Sequence, residues 1–69
     1  MKRYFEFVEG SSSKFWEISM KGTDVETRHG KIGSEGRITT KSFADAAKAK
    51  EFAEKIIGEK TGKGYKEKL

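Results

Sequence analysis

Four short stretches rich in aromatic and β-branched residues are separated by connecting segments of only four residues each, and this spacing constrains the fold most. The stretches cover residues 3–9, 14–20, 25–32 and 37–43. The segments between them are rich in Gly, Ser and Asp, which is typical of turns. Because a parallel crossover needs a dozen or more residues, consecutive strands joined this tightly must pair antiparallel.

Large apolar side chains recur at every second position in these stretches, as expected for strands whose side chains point alternately to opposite faces. In the first stretch Phe5 and Phe7 share one side. In the second, Trp16, Ile18 and Met20 share a face. We therefore interpret Trp16 as a core residue and not as part of a contact surface.

The C-terminal third of the sequence has helical spacing. Asp45 stands where an N-cap is expected, and its carboxylate can accept from the free N–H groups of the first helical turn. An apolar stripe predicts a helix over residues 46–60, with Gly62 or Gly64 as its C-terminal cap and Tyr65 folding back over its end. The stripe consists of Ala46, Ala49, Phe52, Ala53, Ile56 and Ile57.

Together these patterns predict an α+β fold: a small antiparallel sheet of four to five strands with one long C-terminal helix packed on one face. A fifth short strand is expected near Tyr65 or from division of the first stretch. The length of 69 residues predicts one domain covering residues 1–69.

The composition argues against several classes of protein. No cysteine is present to form a disulfide or a thiolate metal site, no apolar run exceeds four residues, and the first residues lack the apolar region of a signal peptide. A cytoplasmic location without membrane contact is therefore expected. The net charge of +4 favours an anionic partner.

The segment 27–36 has a glycine at every third position: Gly30, Gly33 and Gly36. Glycine costs about 0.5–1 kcal/mol relative to alanine inside a regular element, so this pattern needs a backbone reason. We interpret it as a strand that bulges at Gly30, exposes His29 and Lys31, and ends in a turn at 33–36. The alternative is a phosphate cradle of backbone N–H groups, but the spacing matches neither the P-loop nor the dinucleotide fingerprint.

The same region concentrates positive charge. Its cations are Arg28, Lys31, Arg37 and Lys41, with Glu35 as the only acid among them. They predict a basic stripe across the third and fourth strands, with Lys31 near Arg37. The alternative is a solvated edge whose lysines prevent aggregation. For the lysines near the C-terminus, we expect Lys60 to complement the helix dipole. We expect Lys63, Lys66 and Lys68 to form a mobile tail that adds at most a weak second phosphate contact.

Several separated pieces of the sequence together resemble the WGR domain, named for a Trp-Gly-Arg motif. They are Lys-Phe-Trp-Glu-Ile at 14–18, Arg-His-Gly-Lys-Ile-Gly at 28–33, Phe43, Glu-Lys at 59–60 and Lys-Gly-Tyr at 63–65. The domain occurs in poly(ADP-ribose) polymerases, in bacterial molybdate-regulator (MolR) proteins and as small stand-alone bacterial proteins. The resemblance implies an antiparallel sheet with a helix, and binding near DNA ends. His29 takes the position of the motif's Trp, which stacks at the nucleic acid, and Lys31 that of its Arg.

We therefore predict a binding module that contacts nucleic acid weakly and in a salt-dependent manner, with DNA as the expected partner and RNA as the alternative. The predicted contact residues are Arg28, His29, Gly30, Lys31, Arg37 and Lys41. The alternative is a protein-interaction or regulatory module without nucleic-acid contact. Catalysis would need an acid–base set in a pocket, and none is evident; no metal site or cofactor is predicted either.

Overall fold

A computed structural model, which describes residues 2–68, shows five strands and one helix. In chain order they are β1 (Lys2–Glu9), β2 (Ser12–Lys21), β3 (Asp24–Lys31), β4 (Arg37–Ser42), α1 (Ala46–Gly62) and β5 (Lys66–Glu67). The α+β fold with one C-terminal helix is confirmed, and the predicted helix is two residues too short.

The strands form one antiparallel sheet in the order β4-β3-β2-β1-β5. The short last strand pairs with β1, where Phe5 lies opposite Glu67. Next to this pair, the Arg3 guanidinium donates to both carboxylate oxygens of Glu67, at 2.9 Å from Nε and 2.7 Å from Nη2. The fifth strand expected near Tyr65 is thus present, and an ion pair fastens it to the sheet.

The core lies between the helix and one face of the sheet, where α1 packs on β2 and β3. The rings of Phe5 and Trp16 are 5.3 Å apart, and Trp16 is only 3% exposed, so its assignment to the core is confirmed. The core cluster comprises Phe5, Trp16, Ile18, Val25, Ala49, Ala53 and Ile57. Small alanines at the contact let the helix backbone approach the sheet closely.

Both ends of the helix are capped. Asp45 accepts from the Lys48 N–H at 2.8 Å, as predicted. At the other end Gly64 adopts φ +108°, and the Tyr65 N–H donates to the Lys60 carbonyl at 3.1 Å. With the Gly64 N–H donating to Thr61, this is a Schellman motif, and it turns Tyr65 back against the core.

The predicted bulge at Gly30 is wrong. The β2–β3 register runs through this position without an extra residue, with Phe15 opposite Gly30 and Trp16 opposite His29. A Cβ on Gly30 would lie 2.9 Å from the Cα of Gly36. Glycine is therefore needed at this point of a regular strand because the connecting segment 32–36 passes directly over it.

Within residues 2–68, no helix is both long and apolar enough to cross a membrane.

Candidate nucleic-acid interface

The alternation of side chains in β3 divides the predicted contact residues between the two faces of the sheet. His29 pairs in register with Trp16, and Lys31 with Lys14, which places them on the face that carries α1. Arg28 and Gly30 belong to the opposite, open face. The six residues predicted from the sequence therefore do not form one surface.

Arg28 is committed to contacts on the open face. Its Nε donates to Glu17 at 3.1 Å and its Nη1 to the Glu35 carbonyl at 2.7 Å, and its guanidinium carbon lies 4.7 Å from the ring centroid of Phe15. Arg28 thus has an acidic partner from outside its own segment, because Glu17 lies opposite it in the register. These contacts assign Arg28 a structural role.

On the helix side, the structure gathers a different group of basic side chains, which we call the basic cluster. Its members are Lys14, His29, Lys31, Lys60 and Lys63, drawn from β2, β3, the last turn of α1 and the residue that follows it. They line two adjoining cavities of about 300 and 310 Å³, which share Lys14, Lys60 and Tyr65. Phe7 and Tyr65, whose rings are 5.4 Å apart, add aromatic surface to one of them.

Lys60 has the most constrained position in the basic cluster. Its Nζ lies 5.3 Å from the ring centroid of Tyr65 and 5.8 Å from that of Trp16. Loss of hydration lowers the pKa of the Lys60 ammonium, and the positive charges of Lys63 and Lys14 lower it further, against an opposing effect of Glu59. The fold therefore keeps the Lys60 ammonium close to Lys63 and Lys14 although these positive charges repel one another.

Lys14 and Lys31 lie directly opposite each other on neighbouring antiparallel strands. Like charges in that relationship destabilise a sheet. Within residues 2–68 neither lysine, nor His29 or Lys60, forms an ion pair with a carboxylate. An anion bound between them would remove this repulsion.

Arg37 continues the predicted stripe but Lys41 does not. Arg37 lies directly opposite His29, two positions along β3 from Lys31 on the same face, and so adjoins the basic cluster. Lys41 lies opposite Val25, six residues along β3 from Lys31, or about 20 Å at the usual strand rise. Its Nζ lies over the rings of Phe43 and Phe52, at 5.7 and 4.7 Å, at the other end of the helix.

Lys14 is not among the contact residues predicted from the sequence, and Lys60 was expected only to complement the helix dipole. A signal for Lys14 was present, since it shares the strand parity of Trp16 and thus the helix-side face. No comparable signal exists for Lys60 and Lys63. Their position beside Lys14 depends on how far along the sheet the helix extends.

Within residues 2–68, no three His, Cys, Asp or Glu side chains lie close enough together to hold a metal ion. The basic cluster itself and the rings beside it offer amines, an imidazole and aromatic faces. These groups suit anions and flat ring systems.

Comparison with known proteins agrees with this structure. The WGR domain family model matches residues 1–69. The chain is 37% identical over 67 residues to the uncharacterized protein YfeS and 38% identical over 65 residues to protein YehF, both of Escherichia coli K12. These matches cover 97% and 94% of this chain but only 28% and 24% of the relatives. A crystal structure of a Bacteroides fragilis protein matches the whole chain with a TM-score of 0.97 and 48% identity, over 20% of its own length.

Proposed function

Since this chain belongs to the WGR domain family, we propose that it binds nucleic acid, DNA in the first instance, through phosphate contacts made by the basic cluster. The observation that carries the proposal is the juxtaposition of Lys14 and Lys31 across two strands, with Lys60 facing them from the helix. Among residues 2–68 none of these three lysines forms an ion pair with a carboxylate, and phosphates that cross this surface would supply that negative partner.

The side chains available set the character of the binding. A lysine ammonium acts as a point charge and does not make the two-pronged contact of an arginine. His29, at the position of the motif's Trp, is exposed and offers a smaller stacking surface than an indole. Binding through such groups is weak and insensitive to base sequence, with Kd of about 10⁻⁴–10⁻⁶ M at physiological salt.

A salt titration tests the proposal. Fluorescence anisotropy of a short labelled duplex with free ends, measured at increasing salt, should give a line of log affinity against log salt. If about three phosphates are neutralised, its slope is about −2.7 for duplex and about −2 for a single strand. Binding that does not change with salt, or no binding at low salt, would refute the proposal.

Substitutions locate the contact surface. Lys31→Ala and Lys14→Ala should each weaken binding and reduce the magnitude of the slope by about 1, and His29→Ala should weaken binding by loss of its ring. Lys50→Ala is the matched control, because Lys50 is an exposed lysine of α1 outside the basic cluster. Equal weakening by Lys50→Ala would show that only net charge matters.

The alternative of a protein-interaction module rests on a different element. Strand β4 is exposed along its whole length and forms one edge of the sheet, so an extended segment of a partner could add to it. This alternative would be favoured if a captured protein partner stays bound after nuclease treatment and if the DNA affinity does not change with salt.

A further inference from the structure

We propose that the Lys60 side chain is a site of covalent acylation by acyl phosphates, whose phosphate group is held by the other lysines of the basic cluster. The ligand class is a small molecule with an acyl group joined to a phosphate. The proposal concerns the free protein, and its outcome does not depend on whether the protein binds nucleic acid.

The first support is the geometry around the amine. Lys60 contributes to both cavities, and the rings of Tyr65 and Trp16 lie beside its Nζ. These two rings restrict the conformations of the Lys60 side chain, so its amine stays near the cavities. An exposed helical lysine such as Lys50 has no such confinement.

The second support is the charge that faces the amine. Lys14 of β2 and His29 and Lys31 of β3 line one cavity with Lys60, and Lys63 lines the other. A phosphate placed here would meet the ammonium groups of several lysines, with Glu59 as the acid that acts on Lys60. The same surroundings lower the pKa of Lys60, which increases the fraction of the nucleophilic free amine at neutral pH.

The reaction balances without a further reagent. The unprotonated Lys60 nitrogen attacks the acyl carbon and forms the new C–N bond. The bond between that carbon and the bridging phosphate oxygen breaks, and its electron pair leaves with inorganic phosphate. The nitrogen loses one proton to solvent. The product is an amide, so the positive charge of Lys60 is removed.

The test is to incubate the protein with acetyl phosphate and measure the rate of acetylation of each lysine by peptide mass spectrometry. Lys60 should react at least about fivefold faster than Lys50, which corresponds to ~1 kcal/mol by the relation of tenfold to 1.4 kcal/mol. Acetylation with N-acetoxysuccinimide, which has no phosphate, should show a smaller preference. Inorganic phosphate should reduce the preference seen with acetyl phosphate.

A variant provides an independent measurement. Lys14→Gln removes one of the charges that would hold the phosphate and should reduce the preference for Lys60, whereas Lys50→Gln should not. Uniform labelling, or the same preference with both reagents and no competition by phosphate, would overturn the proposal. The reagent comparison and the competition use the unaltered protein, so they remain decisive if a variant is unstable.

Discussion

Gly30 and Gly36 are in direct backbone contact: a Cβ on Gly30 would lie 2.9 Å from the Cα of Gly36. A Cβ on Gly36 would in turn lie 2.6 Å from Cζ of Phe15. The segment 32–36 therefore folds onto the open face of the sheet and helps to cover Phe15, which is only 2% exposed. This contact explains two of the three glycines in the most unusual part of the sequence.

Gly30→Ala should destabilise the protein by about 1–3 kcal/mol, because the new methyl group meets backbone that cannot move aside without displacing the segment 32–36. Urea unfolding followed by circular dichroism measures the change. Unaltered stability would show that the segment relaxes freely and that the contact with Gly36 is unimportant.

Gly58→Ala should have the opposite effect. This glycine lies inside α1, and a Cβ there would meet nothing within 4 Å. Alanine should therefore stabilise the protein by about 0.5–1 kcal/mol through its higher helix propensity. The same unfolding experiment serves as the control for Gly30→Ala; a loss of stability at Gly58 would indicate an unrecognised contact.

Arg28→Ala should lower stability but leave the salt dependence of DNA binding unchanged. Its guanidinium bonds Glu17 and the Glu35 carbonyl and covers Phe15, and loss of these contacts should cost about 1–2 kcal/mol. Lys31→Ala should instead reduce the salt dependence of DNA binding without lowering stability. A reduced salt slope for Arg28→Ala would show that Arg28 contacts DNA in addition to its contacts within the protein.

The attachment of β5 should weaken in acid. The hydrogen bonds from Arg3, followed by its charge, lower the pKa of the Glu67 carboxyl. A lowered pKa in the folded state contributes stability above the ordinary glutamate pKa, and this contribution is lost as the pH falls through the lower, folded value.

The melting temperature of the wild type should therefore exceed that of Glu67→Gln at pH 7, and the two values should converge as the pH falls towards 3. The exchange of the Lys68 amide, which donates to the Tyr4 carbonyl at 2.9 Å, reports locally on the same strand. A gap between the two proteins that stays constant with pH would contradict this role of the ion pair.

Asp45→Ala should cost about 1 kcal/mol, because the Lys48 N–H loses its acceptor at the start of α1. Asp45→Asn is the matched variant, since asparagine is an equally good cap. Thermal unfolding of the two variants distinguishes loss of the cap from loss of the charge.

The sequence by itself determined the strand order along the chain, the antiparallel pairing, the start of the helix and the assignment of Trp16 to the core. These features depend on local signals: the length of a turn, the alternation of side chains and a capping residue. Each of these features depends on a few neighbouring residues, and contacts between distant parts of the chain do not change the local structure that those residues favour.

Tertiary structure decided which cations share a surface. The register across β2 and β3 brings Lys14 to Lys31, and the position of the helix end adds Lys60, although these residues are far apart in the chain. Tertiary structure also explains why residue 30 is a glycine: a side chain there would meet the backbone of Gly36, and the strand has no bulge at this point. Both outcomes depend on how separate elements approach one another in space, and no spacing within a single strand encodes that.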